Sequence, residues 1–409
     1  MGMLATLRSV VQVRRFETDG VLRRLARAAD TDDLRRMAKR RLPGGVFDYI
    51  DGGAEDERTL DRNSSAFADV EFRPRVLRDV SDCDPSTTLL GSPMPLPLVL
   101  SPTGFTRIAD PQGELAVARA AARANLPYAL STMGTRSIEE VAEVSDGRKW
   151  FQVYVWKDRD LVAEMLDRSK RHGYEAIVIT VDTAVLGRRE RDVRRGFTLP
   201  PKIGLETFVD GALHPRWTLD LLRSEPIGFA NVTGRIDDDG TTAVSLAQYA
   251  NDQFSQSLSW DDVGWFRDRW SGPIVLKGIQ TVEDARRAVD AGVEAIALSN
   301  HGGRQLDDAP TPIELVGPVT DAIGDAAEVI CDGGVRRGSD IVKAVALGAK
   351  ACGIGRAYLY GLGAGGERGV DHVLGLLDAG VRRTMALCGA RTLDDVGPHL
   401  VARRGGRSV

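Results

Sequence analysis

Apolar and polar positions alternate along most of this sequence in a repeating pattern. Short apolar runs, each as long as a buried parallel strand, alternate with stretches whose apolar residues recur at helical spacing. Eight such runs occur: LPLVLSP (96–102), PYALST (127–132), KWFQVY (149–154), AIVITVD (176–182), PIVLKG (273–278), AIALSNH (295–301), EVICDGG (328–334) and ACGIGR (351–356). Eight strand and helix units predict an α/β fold, the (β/α)8 TIM barrel. A doubly wound open sheet is the alternative, and the count of eight favours closure.

One interval between these runs is much longer than the others. It separates the fourth run from the fifth, and its insertion, at about 197–258, is mixed in composition and weakly periodic. We expect a long loop over one mouth of the barrel, followed by a helix in SWDDVGWFRDRW. Two interpretations stay open, a functional lid and a merely tolerated insertion.

The residues that precede the pattern predict a separate N-terminal part. Residues 1–90 are expected to form a helical leader and an approach segment packed on the barrel, which itself spans 91–390 and is followed by a tail, 391–409. In the leader, Leu34, Met37 and Leu42 give only a ragged apolar face. That face predicts a solvated peripheral helix.

Composition and charge exclude several classes of function. The chain has 409 residues, 43% hydrophobic and 27% charged, with a net charge of −4, so a nucleic acid is not an expected partner. The four cysteines form no CxxC pair, which predicts reduced thiols and no metal site. The sequence shows neither a secretory signal nor an apolar run of transmembrane length, and we expect a cytoplasmic location.

Polar residues follow the strand runs at corresponding positions, where barrels carry their functional groups. They are Pro102, Thr103, Gly104, Ser131, Thr132, Gln152, Tyr154, Thr180, Asp182, Lys277, Ser299, His301, Arg304, Asp332, Gly334, Arg336, Gly355 and Arg356. The last two runs end in the turns DGGVRRG and GIGRAY, each before a helix, which predicts a phosphate site beside Arg336 and Arg356. Tight turns with surface arginines are the alternative. Because no GxGxxG fingerprint opens a βαβ unit, a mononucleotide fits better than a nicotinamide dinucleotide.

His301 is the candidate general base. A histidine can take a proton near neutral pH, and a carboxylate such as Asp182 orients and stabilises the imidazolium that forms. Arg304 follows through a Gly-Gly turn and can bind a substrate carboxylate, while Lys277 supplies positive charge. A lone histidine is more often structural, but these three companions on strand ends favour catalysis.

These residues resemble those of a known family, the FMN-dependent enzymes that oxidise L-2-hydroxy acids. The most specific segment is SNHGGRQLD (299–307), supported in order by VFDYIDGGAED, FQVYVWKDRD, TVDTAVLGRRERD, LKGI and DGGVRRGSDIVKAVALGA. The resemblance runs from about residue 40 to residue 390. It implies oxidation of the 2-hydroxyl group, with His301 as base, Asp182 as its partner, and Lys277 and Tyr154 in supporting catalytic roles.

The resemblance also implies the binding residues. FMN would be held by Pro102, Thr103, Gly104, Ser131, Gln152, Thr180, Lys277, Ser299, Asp332, Gly333, Gly334, Val335, Arg336, Gly355 and Arg356. The substrate would be held by Tyr49, Tyr154, Arg189 and Arg304. Tyr49 lies in the leader, and without the resemblance it would be taken for a packed aromatic residue.

Two positions depart from the pattern of glycolate oxidases and bear on the substrate. Gly104 stands where alanine is usual, and Met133 stands where those oxidases have a tryptophan. Both leave room for a larger side chain. With the phrases HPRWTLDLL and GRAYLYGLGAGGE, the sequence is most similar to bacterial L-lactate dehydrogenases, which implies L-lactate as substrate and a quinone or another acceptor.

Several alternatives stay open. The acceptor could be oxygen or a cytochrome, the substrate (S)-mandelate, and the long loop could touch the inner face of a membrane. The family implies a homo-oligomer, a tetramer or octamer. A flavin-dependent isomerase on the same barrel would not need His301 and Arg304 together to hold a carboxylate, and it would show no net redox change. A non-enzymatic binding protein would have no reason to retain Lys277, Asp182, His301 and two arginines.

Overall fold

The computed structural model describes residues 17–195, 205–232 and 252–404. Within these ranges, four helices precede the barrel: α1 (Gly20–Leu25), α2 (Thr31–Arg41), α3 (Gly44–Asp51) and α4 (Arg58–Ser65). Three short strands follow: β1 (Val70–Phe72), β2 (Thr87–Leu89) and β3 (Ser92–Met94). Strands β2 and β3 form an antiparallel hairpin.

Eight parallel strands close into a barrel, which confirms the predicted fold. They are β4 (Leu98–Leu100), β5 (Tyr128–Ser131), β6 (Lys149–Tyr154), β7 (Ala176–Thr180), β8 (Ile274–Ile279), β9 (Ala295–Leu298), β10 (Glu328–Asp332) and β11 (Ala351–Ile354). Strand β11 pairs with β4, which closes the ring. Leu89 and Met94 of the hairpin pack against inward-facing residues such as Trp150, so this hairpin plugs the interior away from the strands' C-terminal ends.

Helices surround the barrel as the periodicity predicts. They are α5 (Gly113–Arg123), α6 (Ile138–Glu143), α7 (Arg159–Arg171), α8 (Glu190–Arg194), α9 (Leu205–Leu213), α10 (Pro215–Arg223), α11 (Asp261–Arg267), α12 (Val282–Asp290), α13 (Pro312–Ile323), α14 (Gly338–Ala346), α15 (Arg356–Gly365) and α16 (Glu367–Cys388). The final strand, β12 (Val401–Arg403), pairs with β1 and joins the tail to the approach segment. In the part of the chain that is described, no helix is long and apolar enough to cross a membrane.

The prediction of a solvated leader helix is wrong. Leu34 and Ala38 on α2, and Leu42 directly after it, are fully buried. Helix α2 packs against α15 at Gly363, where a Cβ would lie 3.0 Å from Leu42 Cδ1 and 3.1 Å from Ala38 Cβ. Because Gly363 has no side chain, α2 and α15 approach each other closely, and the few apolar residues of α2 are sufficient to bury it.

The long interval between β7 and β8 is partly helical. Its described residues include α8, α9 and α10, and the expected helix of SWDDVGWFRDRW appears as α11. Trp217 Nε1 of α10 donates a hydrogen bond to the backbone oxygen of Ile108 at 2.7 Å, so this helix is attached to the barrel. The predicted insertion also covers 197–204 and 233–251, which lie outside the described residues.

Candidate active site

The C-terminal ends of the barrel strands surround a cavity of about 380 Å³. The sequence-predicted site residues that line it are Tyr49, Pro102, Thr103, Gly104, Gln152, Tyr154, Thr180, Arg189, Lys277, His301, Arg304, Asp332, Gly333, Gly334, Val335, Arg336, Gly355 and Arg356. The other three, Ser131, Asp182 and Ser299, lie behind this surface and hydrogen-bond to residues that line it. The structure therefore brings the whole predicted set together.

His301 and Asp182 form a hydrogen-bonded pair at the cavity. The Nδ1 of His301 lies 3.0 Å from Oδ1 of Asp182, whose side chain is only 3% exposed. Because a carboxylate only accepts, Nδ1–H is the donor and Nε2 is the nitrogen that can receive a proton. Oδ2 of Asp182 is buried with no hydrogen-bond partner among the described residues. Asp182 thus orients the imidazole with one oxygen, and its charge also acts on Lys277.

His301 sits in a strained turn. Its φ is 58°, and Gly302 and Gly303 follow with φ of 66° and 74°. A histidine in the left-handed region costs energy, and such strain persists only where the surroundings hold it. Here Asn300 and Asn63 exchange two amide hydrogen bonds of 2.7 and 2.8 Å, which tie the turn to α4. The turn thus fixes the direction of the imidazole.

Two arginines, Arg189 and Arg304, lie at one side of the cavity. Arg304 is buried and donates to the backbone oxygens of Tyr49 and Gly52. Its own burial and the nearby Arg189 lower the pKa of Arg304 to about 9. The guanidinium groups of Arg189 and Arg304 lie 5.4 and 5.0 Å from the centre of the Tyr49 ring. This arrangement favours a bound anion such as a carboxylate.

Asp192 is a site residue that the sequence analysis missed. It lines the cavity, and its carboxylate lies 3.6 Å from Nη1 of Arg189. Burial raises the pKa of Asp192 against the opposing effect of Arg189. Its position three residues after Arg189 was the available signal, because helical spacing puts such pairs side by side.

Lys277 is held by a buried network on the cavity floor. Its Nζ lies 2.9 Å from Oδ2 of Asp332 and donates to Ser299 Oγ at 2.9 Å. Asp332 also accepts hydrogen bonds from Ser101 and Ser299. Burial works against both charges, but their mutual attraction prevails, raising the pKa of Lys277 and lowering that of Asp332. The Asp332 carboxylate therefore forms an ion pair with Lys277 and is not a phosphate ligand.

Buried polar groups continue across the neighbouring strand ends. Gln152 accepts from Ser131 Oγ at 2.9 Å and donates to Thr180 Oγ1 at 3.0 Å. Burying such groups is costly unless they have partners, so their concentration on a cavity floor suits a polar ligand edge. Together with Lys277, these residues fit the polar ring of FMN.

The glycine turns after β10 and β11 form the opposite end of the cavity. Gly333 and Gly334 have φ of 147° and 80°, which side chains rarely adopt. Asp340 accepts from the backbone N–H groups of Arg336 and Arg337, so α14 is capped by its own residue. The start of α15 also faces this corner, and a helix N-terminus favours a phosphate.

Arg356 departs from the expected phosphate role. Its three guanidinium nitrogens donate to the backbone oxygens of Ile50, Gly302 and Gly52. The side chain therefore joins the leader to the His301 turn. Arg336, also lining the cavity, is left as the cation for a phosphate.

Apolar side chains form the remaining wall, and several were not predicted. Phe105, Met133, Phe229 and Phe254 line the cavity. Phe254 packs edge-on against Tyr154 with ring centres 5.0 Å apart. No signal in the sequence marks Phe229 or Phe254, because both lie within the weakly periodic insertion. Among the described residues, no cluster of histidine, cysteine or acidic groups could hold a metal ion.

Known proteins resemble this chain over most of its length. A family model described as FMN-dependent dehydrogenase matches residues 38–403. The chain is 47% identical to a putative L-lactate dehydrogenase of Mycobacterium tuberculosis, over 97% of this chain and 94% of that protein. It is 41% identical to an L-lactate dehydrogenase of Caulobacter vibrioides, over 92% and 98%. A solved structure of a monotopic membrane protein, (S)-mandelate dehydrogenase, superposes with a TM-score of 0.89 at 40% identity, over 92% and 100%.

Proposed function

Because the chain belongs to the FMN-dependent dehydrogenase family and is an enzyme of 2-hydroxy acid oxidation, we propose that it oxidises L-lactate to pyruvate and passes the electrons to a quinone or a similar acceptor. The observation that carries this proposal is the placement of the His301–Asp182 pair and two arginines around one cavity. A 2-hydroxy acid has a carboxylate for the arginines and a hydroxyl for the histidine.

The chain's own residues account for the acid–base part of the reaction. Arg304 and Arg189 bind the carboxylate, and Nε2 of His301 takes the hydroxyl proton. Asp182 then stabilises the imidazolium. Bound FMN would supply the oxidant, which takes up the two electrons and the hydrogen of the C2–H bond. Burial raises the pKa of Tyr154, which keeps its hydroxyl protonated as a hydrogen-bond donor near the substrate.

The same anchors explain selection of one enantiomer. The arginines fix the carboxylate and His301 fixes the hydroxyl, so the C2 hydrogen of only one enantiomer points to the floor of the cavity. Gln152, Thr180 and Lys277 would hold the FMN ring there. The glycine turns with Arg336 would hold its phosphate.

Exposed apolar side chains on two helices support contact with a membrane. Val209 and Leu213 on α9, and Leu219 and Leu222 on α10, are exposed. Such a patch suits partial insertion into the interface of a lipid layer, where a quinone also resides. We therefore propose that the protein is peripheral on a membrane, at its inner face. That it is a homo-oligomer stays a prediction from the family resemblance alone. The double variant Leu213→Ser, Leu222→Ser should float less with anionic lipid vesicles than the unaltered chain; equal flotation contradicts the contact.

One observation favours (S)-mandelate as a second candidate substrate. A Cβ at Gly104 would lie 2.9 Å from Met133 Cβ, so the glycine keeps space open beside Met133. A phenyl ring needs such space more than a methyl group does.

Rapid mixing without oxygen tests these choices. The FMN-loaded protein is mixed with L-lactate, (S)-mandelate or glycolate, and then with oxygen or a soluble quinone. Fast bleaching by L-lactate and faster reoxidation by the quinone support the proposal. Fast reoxidation by oxygen with peroxide release identifies an oxidase, and preferential bleaching by mandelate identifies the second candidate.

A further inference from the structure

Three side chains and one glycine form a continuous apolar wall in the cavity. The rings of Phe105 and Phe229 have their centres 5.6 Å apart, at an interplanar angle of 50°. The backbone N–H of Phe105 donates to the backbone oxygen of Met133 at 3.0 Å, and Gly104 faces the Met133 side chain. Phe229 is the member of this wall that comes from the long interval between β7 and β8.

The segment that carries Phe229 is fixed on both sides by the barrel. Before it, the buried Arg107 donates to the backbone oxygens of Glu225 and Pro226, at 2.7 and 3.4 Å. After it, Ala230 N–H donates to the backbone oxygen of Gly134 at 3.1 Å. Asn231 then accepts from the first N–H of α6 at 2.9 Å. These contacts determine where the ring lies.

The position of the wall relative to the polar groups indicates its role. C2 of the substrate carries a carboxylate, a hydroxyl, a hydrogen and a side chain, and the proposed function assigns the first three to the arginines, His301 and the cavity floor. The fourth substituent needs an apolar surface, and the wall of Phe105, Met133 and Phe229 provides one.

Resting on that proposed function, we infer that Phe229 is a specificity-determining residue that closes the compartment for the substrate's side chain and sets the largest side chain accepted. Phe105 is less suited to this role. Its φ is 61°, and its ring also packs edge-on against Tyr49 at 6.2 Å, so it supports the substrate-binding tyrosine. Phe229 is 2% exposed and its backbone is anchored independently, so its side chain can change with little effect on the rest of the site.

Two variants of the FMN-loaded full chain test this inference. Phe229→Leu and Phe229→Ala enlarge the compartment in two steps. We expect the kcat/KM ratio of L-2-hydroxy-4-methylpentanoate to L-lactate to rise in each, by about tenfold or more for alanine, since one methylene in an apolar pocket changes selectivity by roughly 10- to 200-fold. The flavin content and its visible spectrum should stay unchanged.

Phe266→Leu is the matched control. Phe266 is fully buried on α11 and does not line the cavity, so this variant should lose stability without a change in the ratio. An unchanged ratio in Phe229→Leu, in protein that keeps FMN and oxidises L-lactate, overturns the inference and leaves the proposed function standing. Loss of FMN from that variant also overturns it. If no 2-hydroxy acid bleaches the unaltered protein, the proposed function itself fails.

Discussion

Oδ1 of Asp182 accepts a hydrogen bond from Nδ1 of His301 at 3.0 Å, while Oδ2 of the same carboxylate is buried without a partner among the described residues. The pair spans two strand ends, since Asp182 follows β7 and His301 follows β9. The carboxylate therefore orients the imidazole through one oxygen and lies beside the ring that takes up the proton in the proposed reaction.

Replacing His301 should remove the base and leave the fold intact. His301→Gln keeps a hydrogen-bonding side chain, but it cannot hold the proton. We expect flavin reduction by L-lactate to slow by about 10²- to 10⁴-fold, the usual contribution of a general base. Stopped-flow absorbance measures this rate. Equal FMN content in the variant is the control, and a rate within about threefold of the unaltered enzyme rules out the assigned role.

Arg304 should contribute to anion binding through its planar fork as well as its charge. Arg304→Lys keeps the charge and loses bidentate geometry. One charged hydrogen bond contributes about 1.5–3 kcal/mol, so the Kd for oxalate, read by thermal shift, should rise by about tenfold or more. Arg188→Lys, at an exposed neighbouring arginine outside the cavity, is the matched control and should change nothing. Equal Kd values for both variants contradict the assignment.

Asp51 should make stability depend on acid pH. Its carboxylate is buried and accepts from Arg35, Arg191 and Tyr360. Burial opposes the charge, but these partners prevail and lower the pKa of Asp51 from 3.8 to about 2. Because the folded-state pKa is depressed, the stabilisation is complete above about pH 4 and is lost as the pH falls towards 2.

The variant Asp51→Asn isolates this contribution. At neutral pH the free energy of unfolding of this variant should be about 2 kcal/mol lower than that of the unaltered chain, because folding lowers the pKa of Asp51 by nearly two units. The difference should shrink between pH 4 and pH 2. Urea unfolding at several pH values measures it, and a difference independent of pH across that range would show that Asp51 acts through packing alone.

Gly104→Ala should narrow the substrate range. The added Cβ meets Met133 Cβ at 2.9 Å, closer than two such atoms approach, so Met133 must move into the compartment. We expect kcat/KM for (S)-mandelate to fall by more than that for L-lactate. The pair Gly104→Ala, Met133→Gly removes the Cβ that the added methyl group meets and should recover the lost mandelate activity. A uniform loss for both substrates would place the effect on FMN binding instead.

The sequence was informative wherever one local pattern had one structural consequence. Eight apolar runs predict the barrel, and the residues at their ends meet because parallel strands end at one face. The His301 turn was recognisable for the same reason, since its polar residues are contiguous in the chain.

The remaining features depend on contacts between distant segments. The burial of α2 is decided by Gly363 more than three hundred residues away, and the direction of the Arg356 side chain is decided by carbonyls of the leader. Phe229 and Phe254 reach the cavity because of anchors such as Arg107, not because of any periodicity around them. Patterns of single residues carry no information on such pairings.

Anaerobic reduction by the two enantiomers of lactate tests the central claim most directly. With the carboxylate bound by Arg189 and Arg304 and the hydroxyl by His301, as proposed, only L-lactate presents its C2 hydrogen to the cavity floor. We predict rapid bleaching of the bound FMN by L-lactate and at least a hundredfold slower bleaching by D-lactate. A hundredfold difference in rate corresponds to about 2.7 kcal/mol of interaction free energy that the misoriented enantiomer loses. Equal rates for the two enantiomers would contradict this orientation of the substrate. A flavin that is bleached by neither enantiomer, nor by (S)-mandelate or glycolate, would contradict the proposed function.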